Sequence, residues 1–525
     1  MQTKSSLRKG LAVGIILLFV GISIIPSSAQ NRENTSLPTS RGHWLYVGGN
    51  GPGNYSTIQD AIDDASDGDT IFVYDDSSPY NRAIIDKAVT LIGENKETTL
   101  IENQVVVEHN NVTVTGFTIH FLNADGANNY TIINNEFHGD EYGLYIHAGS
   151  NVKIINNTII DQKLCGIEFH TGSDNIITGN SIIATNNSWS NHEDLFIYWV
   201  HHTIISNNSF ISLRDGLNVG ISICDSENNT IENNSFVKTG IRLLGSYENT
   251  FSKNSVNGKP LLWLEEEANK TVDDAGQVFL LHCNQITVCN LTLFDVPEGI
   301  TLYDTNSSNI QNNTFSWCGT GINLDSSNMN NLSQNTVMNC SSGISIGYSW
   351  GGMPSFPSNM NILSQNIVMN CSSGIGLDYS NMDTLSQNIL INCSTGITIG
   401  HGSQNTIERN SIQKGDCGID VHSGPNNITH NNVKDFSLHG ISISGVRNTV
   451  RENNFLKNSP HTYIEFAFFD EGYHTQWLHN YWGRPRYLPY KINGYIYDFL
   501  FYTTVIHIPW INFDWHPAKE PYDIS

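Results

Sequence analysis

Between residues 143 and 443 apolar and polar positions alternate in short bursts, and each burst opens on a glycine followed by an apolar residue, any residue and another apolar residue. The phrase reads GLYI at Gly143, GIEF at Gly166, GISI at Gly220, GIRL at Gly240, GITL at Gly299, GINL at Gly321, GISI at Gly343, GIGL at Gly374, GITI at Gly396, GIDV at Gly418 and GISI at Gly440. From Gly299 onward the glycines are spaced 22, 22, 31, 22, 22 and 22 residues apart. A period of two is that of a strand with one face turned inward, and a return at a fixed interval in this range marks a stacked solenoid.

A second phrase lies between the glycines, as NVKIINNTI at Asn151, NTIENNSF at Asn229, NIQNNTF at Asn309, NTIERNSI at Asn405 and NTVRENNF at Asn448. Asn tolerates left-handed backbone angles at turns, and stacked amides bond from coil to coil. Together the phrases predict an all-β fold, a single-stranded right-handed parallel β-helix of about fifteen coils spanning residues 76–458. The Leu-rich consensus of a leucine-rich horseshoe is missing. Three near-copies, SSNMNNLSQNTVMNCSSGI, PSNMNILSQNIVMNCSSGI and YSNMDTLSQNILINCSTGI, read as tandem duplications.

Open ends of a strand stack need covers. In residues 45–75 the segment YSTIQDAIDDASDGDTIFV predicts an amphipathic helix from Thr57 to Ala65 followed by the first strand, with Ser56 and Gln59 at capping-box spacing. Residues 459–525 turn aromatic and predict a C-terminal cap, in which Trp477, Trp482, Trp510 and Trp515 are expected to pack inside. Residues 1–29 are expected to be a signal peptide: Lys4, Arg8 and Lys9 precede an apolar run from Leu11 to Ile25 and a small-residue site at Ser27-Ser28-Ala29. Residues 30–44 read as a linker. The protein is thus expected outside the cell or on its surface, touching membrane only if the signal stays as an anchor. Its oligomeric state is not legible.

Charge narrows the partners. Fifty acidic against 26 basic side chains leave a net charge of −24, which repels nucleic acid and anionic lipid. Nine cysteines, an odd number, sit mainly before the glycines and are expected to be mostly free and buried.

The repeats, the opening STIQDAIDDASDGDTIFV and the long coil NGKPLLWLEEEANKTVDDAGQVFLLHCNQITVCNLTLFDVPEGITL resemble the NosD-like right-handed parallel β-helix proteins of the pectin-lyase-like superfamily. In that coil Gly258, Pro260, Gly276, Cys283 and Val288 match the family pattern. The tail from NYWGRPRYLPY to PYDIS resembles the terminal cap of secreted archaeal members. The resemblance implies an exported scaffold and, by the family's named role, an accessory to copper-centre assembly. The wider superfamily brings in polysaccharide lyases, esterases and hydrolases, and fold alone does not choose among them.

The residues offer several chemistries. Along the outward position of the glycine strands the carboxylates are Glu168 and Asp420, about ten coils apart and so unable to cooperate. The remaining catalytic candidates are Asp304 and Asp325, on successive coils, with turn capping as their ordinary role. Gly400-His401-Gly402 reads as a turn, since the acidic motifs expected upstream of it in a polygalacturonase are missing. Met338 and Met369, with Cys340 and Cys371, occupy equivalent repeat positions and are candidate ligands for copper, a soft metal. Three insertions, NNSWSNHEDLFIYWVHH, NGKPLLWLEEEANKTVDDAGQ and YSWGGMPSFPS, read as surface bulges, and Trp189, Trp199, Tyr348 and Trp350 on them are candidates to stack on sugar rings. The sequence therefore favours an exported, non-catalytic scaffold that binds a glycan or cell-envelope component. Copper handling and a polysaccharide lyase or hydrolase stand as alternatives.

Overall fold

The computed structural model describes residues 42–139, 141–185, 192–214, 216–246, 248–347, 357–459, 462–467, 474–500 and 504–524. His43–Ser525 is one compact unit. Trp189, Tyr348, Trp350 and the expected signal peptide lie outside the described residues.

His43–Ser525 winds as an all-β parallel solenoid of about 18 right-handed turns, with a single helix among the described residues. That exceeds the expected fifteen because the first coils, from Trp44–Val47 onward, pair in the same register without carrying the glycine phrase. Ten strands from Trp44–Val47 to Thr250–Ser252 stack in one wall, and ten from Thr271–Val272 to Gln476–Leu478 stack in another. Most glycines of the phrase let neighbouring coils close in: a Cβ on Gly321 would sit 2.7 Å from the Gly343 carbonyl oxygen. Ile, Val, Leu and Phe fill the interior, and Phe210 and Phe236 stack at 4.9 Å.

The paired asparagines divide two tasks. The first residue of each pair takes the left-handed turn, as at Asn156 (φ 53°) and Asn312 (φ 55°), and Gln334, Arg409 and His430 also serve there. The second is buried and bonds to the coils on either side. Asn157 Oδ1 accepts from the Asn135 amide at 2.9 Å, while its Nδ2 donates to the Ile132 carbonyl at 2.8 Å. Buried turn amides and carbonyls would otherwise lack partners, so this second Asn is the constrained one.

The helix spans Ile58–Asp64 and buries Ile58, Ala61 and Ile62. Its N-cap is Thr57, whose Oγ1 accepts from the Asp60 amide at 3.1 Å. The expected Ser56–Gln59 capping box does not form, because the Gln59 carboxamide is spent on the sheet end: Oε1 accepts from the Ile84 amide at 2.8 Å and Nε2 donates to the Ile84 carbonyl at 3.3 Å.

At the other end coil pairing runs past residue 458, since Val450 pairs Trp477 and Ile443 pairs Ile464. An antiparallel hairpin, Tyr490–Leu500 with Thr504–Asp514, then joins the edge through Ile464↔Gly494. Trp482 lies between Phe455 (4.8 Å) and Tyr490 (4.1 Å). Asp514 ends the amide ladder, accepting from the Asn480 amide at 2.8 Å and from Trp482 Nε1 at 3.1 Å. Trp477 and Trp482 are buried as expected and Trp510 is partly so, but Trp515 is 62% exposed, because it follows the last paired residue of the hairpin.

Two of the expected bulges are corrected. His192–His201 is a ten-residue strand of the solenoid wall, paired with both neighbouring coils. In the second, Lys259–Glu265 turns back antiparallel on Ser255–Val256 and then pairs parallel with Gln277–Leu281, starting the second run of coils.

Candidate functional site

The outward side of the strands between Tyr142 and Leu244 collects the chemistry. Register aligns Tyr145, Glu168, Phe196, Ser222 and Arg242 in one row across five coils. A flanking row holds His147, His170, Tyr198 and Cys224, and Tyr142, Cys165 and Glu193 form the row on the other side. Strand alternation turns the rows of Glu168 and His170 out while Leu195 and Ile197 turn in; the alternation breaks at the consecutive buried residues Asp194 and Leu195, which leaves Glu193 part-exposed, and Cys165 is buried.

Glu193 changes the reading of this face. Glu168 lies opposite Phe196, and Glu193 opposite Cys165. The two acids are thus one strand and three residues apart, about 11 Å between Cα atoms at ordinary sheet spacing. Glu168 thus has a nearer acid neighbour than Asp420, the outward carboxylate that the glycine phrase pairs it with. The sequence hid Glu193 because its coil lacks the glycine: Asp194 takes the place opposite Gly166, and its carboxylate is buried and accepts from Asn218 Nδ2 at 3.1 Å. The alternation of Leu195 and Ile197 with Phe196 and Tyr198 was the signal that could have found this coil.

The two carboxylates have different partners. Glu168 Oε1 and His170 Nε2 are 2.6 Å apart. Glu193 Oε1 pairs with the Arg242 guanidinium and accepts from Ser222 Oγ at 3.0 Å. Burial raises the Glu193 carboxyl above the usual carboxylate range, opposed by Arg242 and Ser222 and reinforced by the Glu168 charge. Arg242 also faces Glu298, in the second run of coils, which burial pushes up to about 7 while Thr301 Oγ1 donates to it at 2.7 Å. Aromatic rings frame the acids: His170 lies 5.7 Å from Tyr145, 5.8 Å from Phe196 and 5.7 Å from Tyr198. Trp199 continues the row, stacked on Tyr198 at 5.1 Å and 17° and 52% exposed.

The other candidates lie elsewhere. Asp304 and Asp325 are on adjacent coils, but Asp325 registers with Tyr303. Asp304 Oδ2 meets His282 Nδ1 of the preceding coil at 2.9 Å, whereas Asp325 accepts from Ser326 Oγ in its own turn at 3.0 Å, so the two acids have separate partners. Met338 and Met369 are paired neighbours and half-buried, while Cys340 and Cys371 are 4% and 3% exposed. The thiols sit in a stack: the Cys340 proton is held up to about 12, first by its bond with Cys318 and then by burial, and that of Cys371 up to about 11, first by its bond with Cys340. Thiolate, the form that binds soft metal, is disfavoured there. Among the described residues no group of three or more His, Cys, Asp and Glu side chains is arranged to hold a metal ion, and all nine cysteines are free. Among the same residues no helix is long and apolar enough to cross a membrane.

A family model described as right handed beta helix region matches residues 53–188, 122–292, 195–353 and 298–459. No curated protein matches the chain. Similar solved structures include the catalytic domain of a GH87 alpha-1,3-glucanase in complex with tetrasaccharides, 13% identical over 64% of this chain and 66% of that one, with a TM-score of 0.35. The A-module of Azotobacter vinelandii mannuronan C-5 epimerase AlgE6 is 14% identical over 67% of this chain and 92% of that one, with a TM-score of 0.30. A mannuronic acid specific polysaccharide family 6 lyase from human gut microbiota is 12% identical over 77% and 82%, with a TM-score of 0.25. This chain thus spans just under two thirds of that glucanase domain, and at these identities the likeness is one of fold.

Proposed function

The chain belongs to the right-handed β-helix family, and from that premise we propose that it binds a polysaccharide across the face around His170 and cleaves it there, Glu193 acting as the acid and Glu168, paired with His170, as the second carboxylate. The observation that carries this reading is the pair itself: two carboxylates one coil apart in unlike surroundings, one shifted toward its neutral form by burial. Glycoside cleavage needs two carboxyl groups with separated roles, one holding a proton near working pH. The rings of Tyr145, Phe196 and Tyr198 give flat apolar surface for sugar faces, and Ser222 and Arg242 give donors for hydroxyls. Export through residues 1–29 belongs to the same proposal, since polysaccharides of this kind are met outside the cell.

A second reading, binding without cleavage, is favoured by the Arg242 ion pair, which opposes protonation of Glu193. One experiment separates the two. Purified protein is incubated with a panel of acidic, neutral and amino polysaccharides while reducing ends and binding are both measured, alongside Glu193→Gln and Glu168→Gln. Cleavage predicts reducing ends from the unaltered protein and a loss of 100-fold or more in either variant, with binding retained. Binding without reducing ends selects the scaffold. Absence of both across the panel overturns the proposal.

A further inference from the structure

Beside the acid pair, where successive coils turn a corner, lies a cavity of about 420 Å³ lined by Thr171, Trp199, His201, Asp225, Glu227 and Gly245. Its volume falls in the range of small-ligand sites. Thr171, Trp199 and Asp225 all adopt left-handed backbone angles, φ 51°, 54° and 45°. For a bulky residue such as Trp that conformation is rare. Here it turns the indole off the sheet and into the corner, where it is half exposed and backed by Tyr198.

The polar lining selects charge. Asp225 and Glu227 are the acids of the cavity, and among the described residues no lysine or arginine lines it. His201 Nδ1 accepts from the Glu227 amide at 3.2 Å, which leaves the ring proton of the neutral imidazole on Nε2 as a donor. An aromatic face flanked by two carboxylates attracts a cation: the indole contributes cation–π attraction and the acids supply counter-charge. A uronate would meet repulsion instead, and a neutral hexose would leave both acids without a charged partner. The aromatic path from Tyr198 to Trp199 joins the cavity to the face around His170, so a chain lying on that face reaches the corner without a break.

We infer that this corner is a subsite for a sugar ring bearing a protonated amine, an unacetylated amino sugar within the bound polysaccharide; the inference rests on the polysaccharide reading above. Trp199 stacks on the ring, Asp225 and Glu227 hold the ammonium group, and His201 Nε2 donates to a hydroxyl.

The test is calorimetric titration of the intact protein with glucosamine oligomers, their fully N-acetylated counterparts and neutral gluco-oligomers of equal length. Glucosamine oligomers are expected to bind at least tenfold tighter than either control, with affinity falling as salt rises. Trp199→Ala, and separately Asp225→Asn with Glu227→Gln, are expected to remove that preference, their circular dichroism and unfolding midpoints showing that the coil is intact. Equal affinity for acetylated and free-amine oligomers, or a preference that survives both variants, overturns the subsite. Glu168→Gln with Glu193→Gln keeps the two proposals apart. That double variant is expected to lose cleavage and keep the amine preference, whereas an unaltered protein that cleaves polysaccharide but shows no amine preference sinks the subsite alone. Glucosamine binding that persists where no polysaccharide is bound or cleaved along the face sinks the face reading and leaves the corner as an isolated amine site.

Discussion

The side chain of Gln277 stands in for a strand beside Ile241: its Nε2 donates to the Ile241 carbonyl at 2.6 Å and its Oε1 accepts from the Ile241 amide at 3.0 Å. The same Nε2 donates to the Glu298 carbonyl at 2.8 Å. Ile241 belongs to the last coils of the first run and Glu298 to the second, so one carboxamide closes the backbone where the two runs meet. Gln59 does the same for Ile84 at the N-terminal end.

Replacing Gln277 with Leu leaves the buried amide and carbonyl of Ile241 without that partner. At about 1 to 3 kcal/mol for each buried group left unpaired, the urea midpoint should fall markedly. Amide exchange at Ile241 should accelerate more than at Ile167, which lies in the middle of the first run. Unchanged exchange at Ile241 would show that the carboxamide is dispensable.

The buried ladder position and the left-handed turn position should respond differently. Asn410 is buried: its Oδ1 accepts from the Asn388 amide at 2.9 Å and its Nδ2 donates to the Leu385 carbonyl at 2.9 Å. Asn410→Ala is expected to cost about 2 to 4 kcal/mol. Asn392 has φ 57° and an exposed amide bonded to Asn370 at 2.9 Å, so Asn392→Gly, which keeps the left-handed turn, should stay within about 0.5 kcal/mol. Denaturant unfolding of the two variants side by side checks the contrast.

Asp383 occupies an amide-ladder position. Its Oδ1 accepts from the Asn361 amide at 2.7 Å, and burial pushes its carboxyl from the ordinary 3.8 up to about 6. The folded state therefore holds this proton more tightly than the unfolded chain does. Its contribution to stability is full below pH 3.8, declines as pH rises from 3.8 to 6, and is lost above 6. Asp383→Asn restores the amide and should stabilise the protein at pH 8 by about 1 to 3 kcal/mol while flattening this stretch of the stability profile. A variant no more stable than the parent at pH 8 would count against a buried charge at this rung.

The thiol stack of Cys318, Cys340, Cys371 and Cys393 is buried throughout. Because the Cys340 proton is held up to about 12, native protein at pH 8 should react with iodoacetamide at these four positions far more slowly than unfolded protein does. Mass-spectrometric mapping of labelled cysteines reads this directly. Rapid native labelling of Cys340 or Cys371 would reopen the case for soft-metal binding beside Met338 and Met369.

Much of the architecture was legible because its determinants are local. The alternation in GINL at Gly321 orients its own strand, and the left-handed turn asparagines act within a few residues of themselves. The coil count was less legible, since the coils from Trp44 to His138 pair without the glycine phrase. The candidate site was hardly legible at all. Glu168 is in a phrase coil, but Glu193 is in a coil whose glycine position holds Asp194, and the segment that carries it read as a bulge.

The chain by itself determined the repeat, the inward apolar faces, the helix that plugs one end and the aromatic cap at the other, all consequences of period and composition within a segment. The tertiary structure alone decided which outward side chains meet. In a parallel solenoid lateral neighbours lie a whole coil apart in sequence, as Glu168 and Phe196 do, and their register depends on how each intervening turn and insertion is absorbed. The Glu168–Glu193 pair, the Arg242 link to Glu193 and the corner cavity at Trp199 are all set by that stacking and by no local spacing.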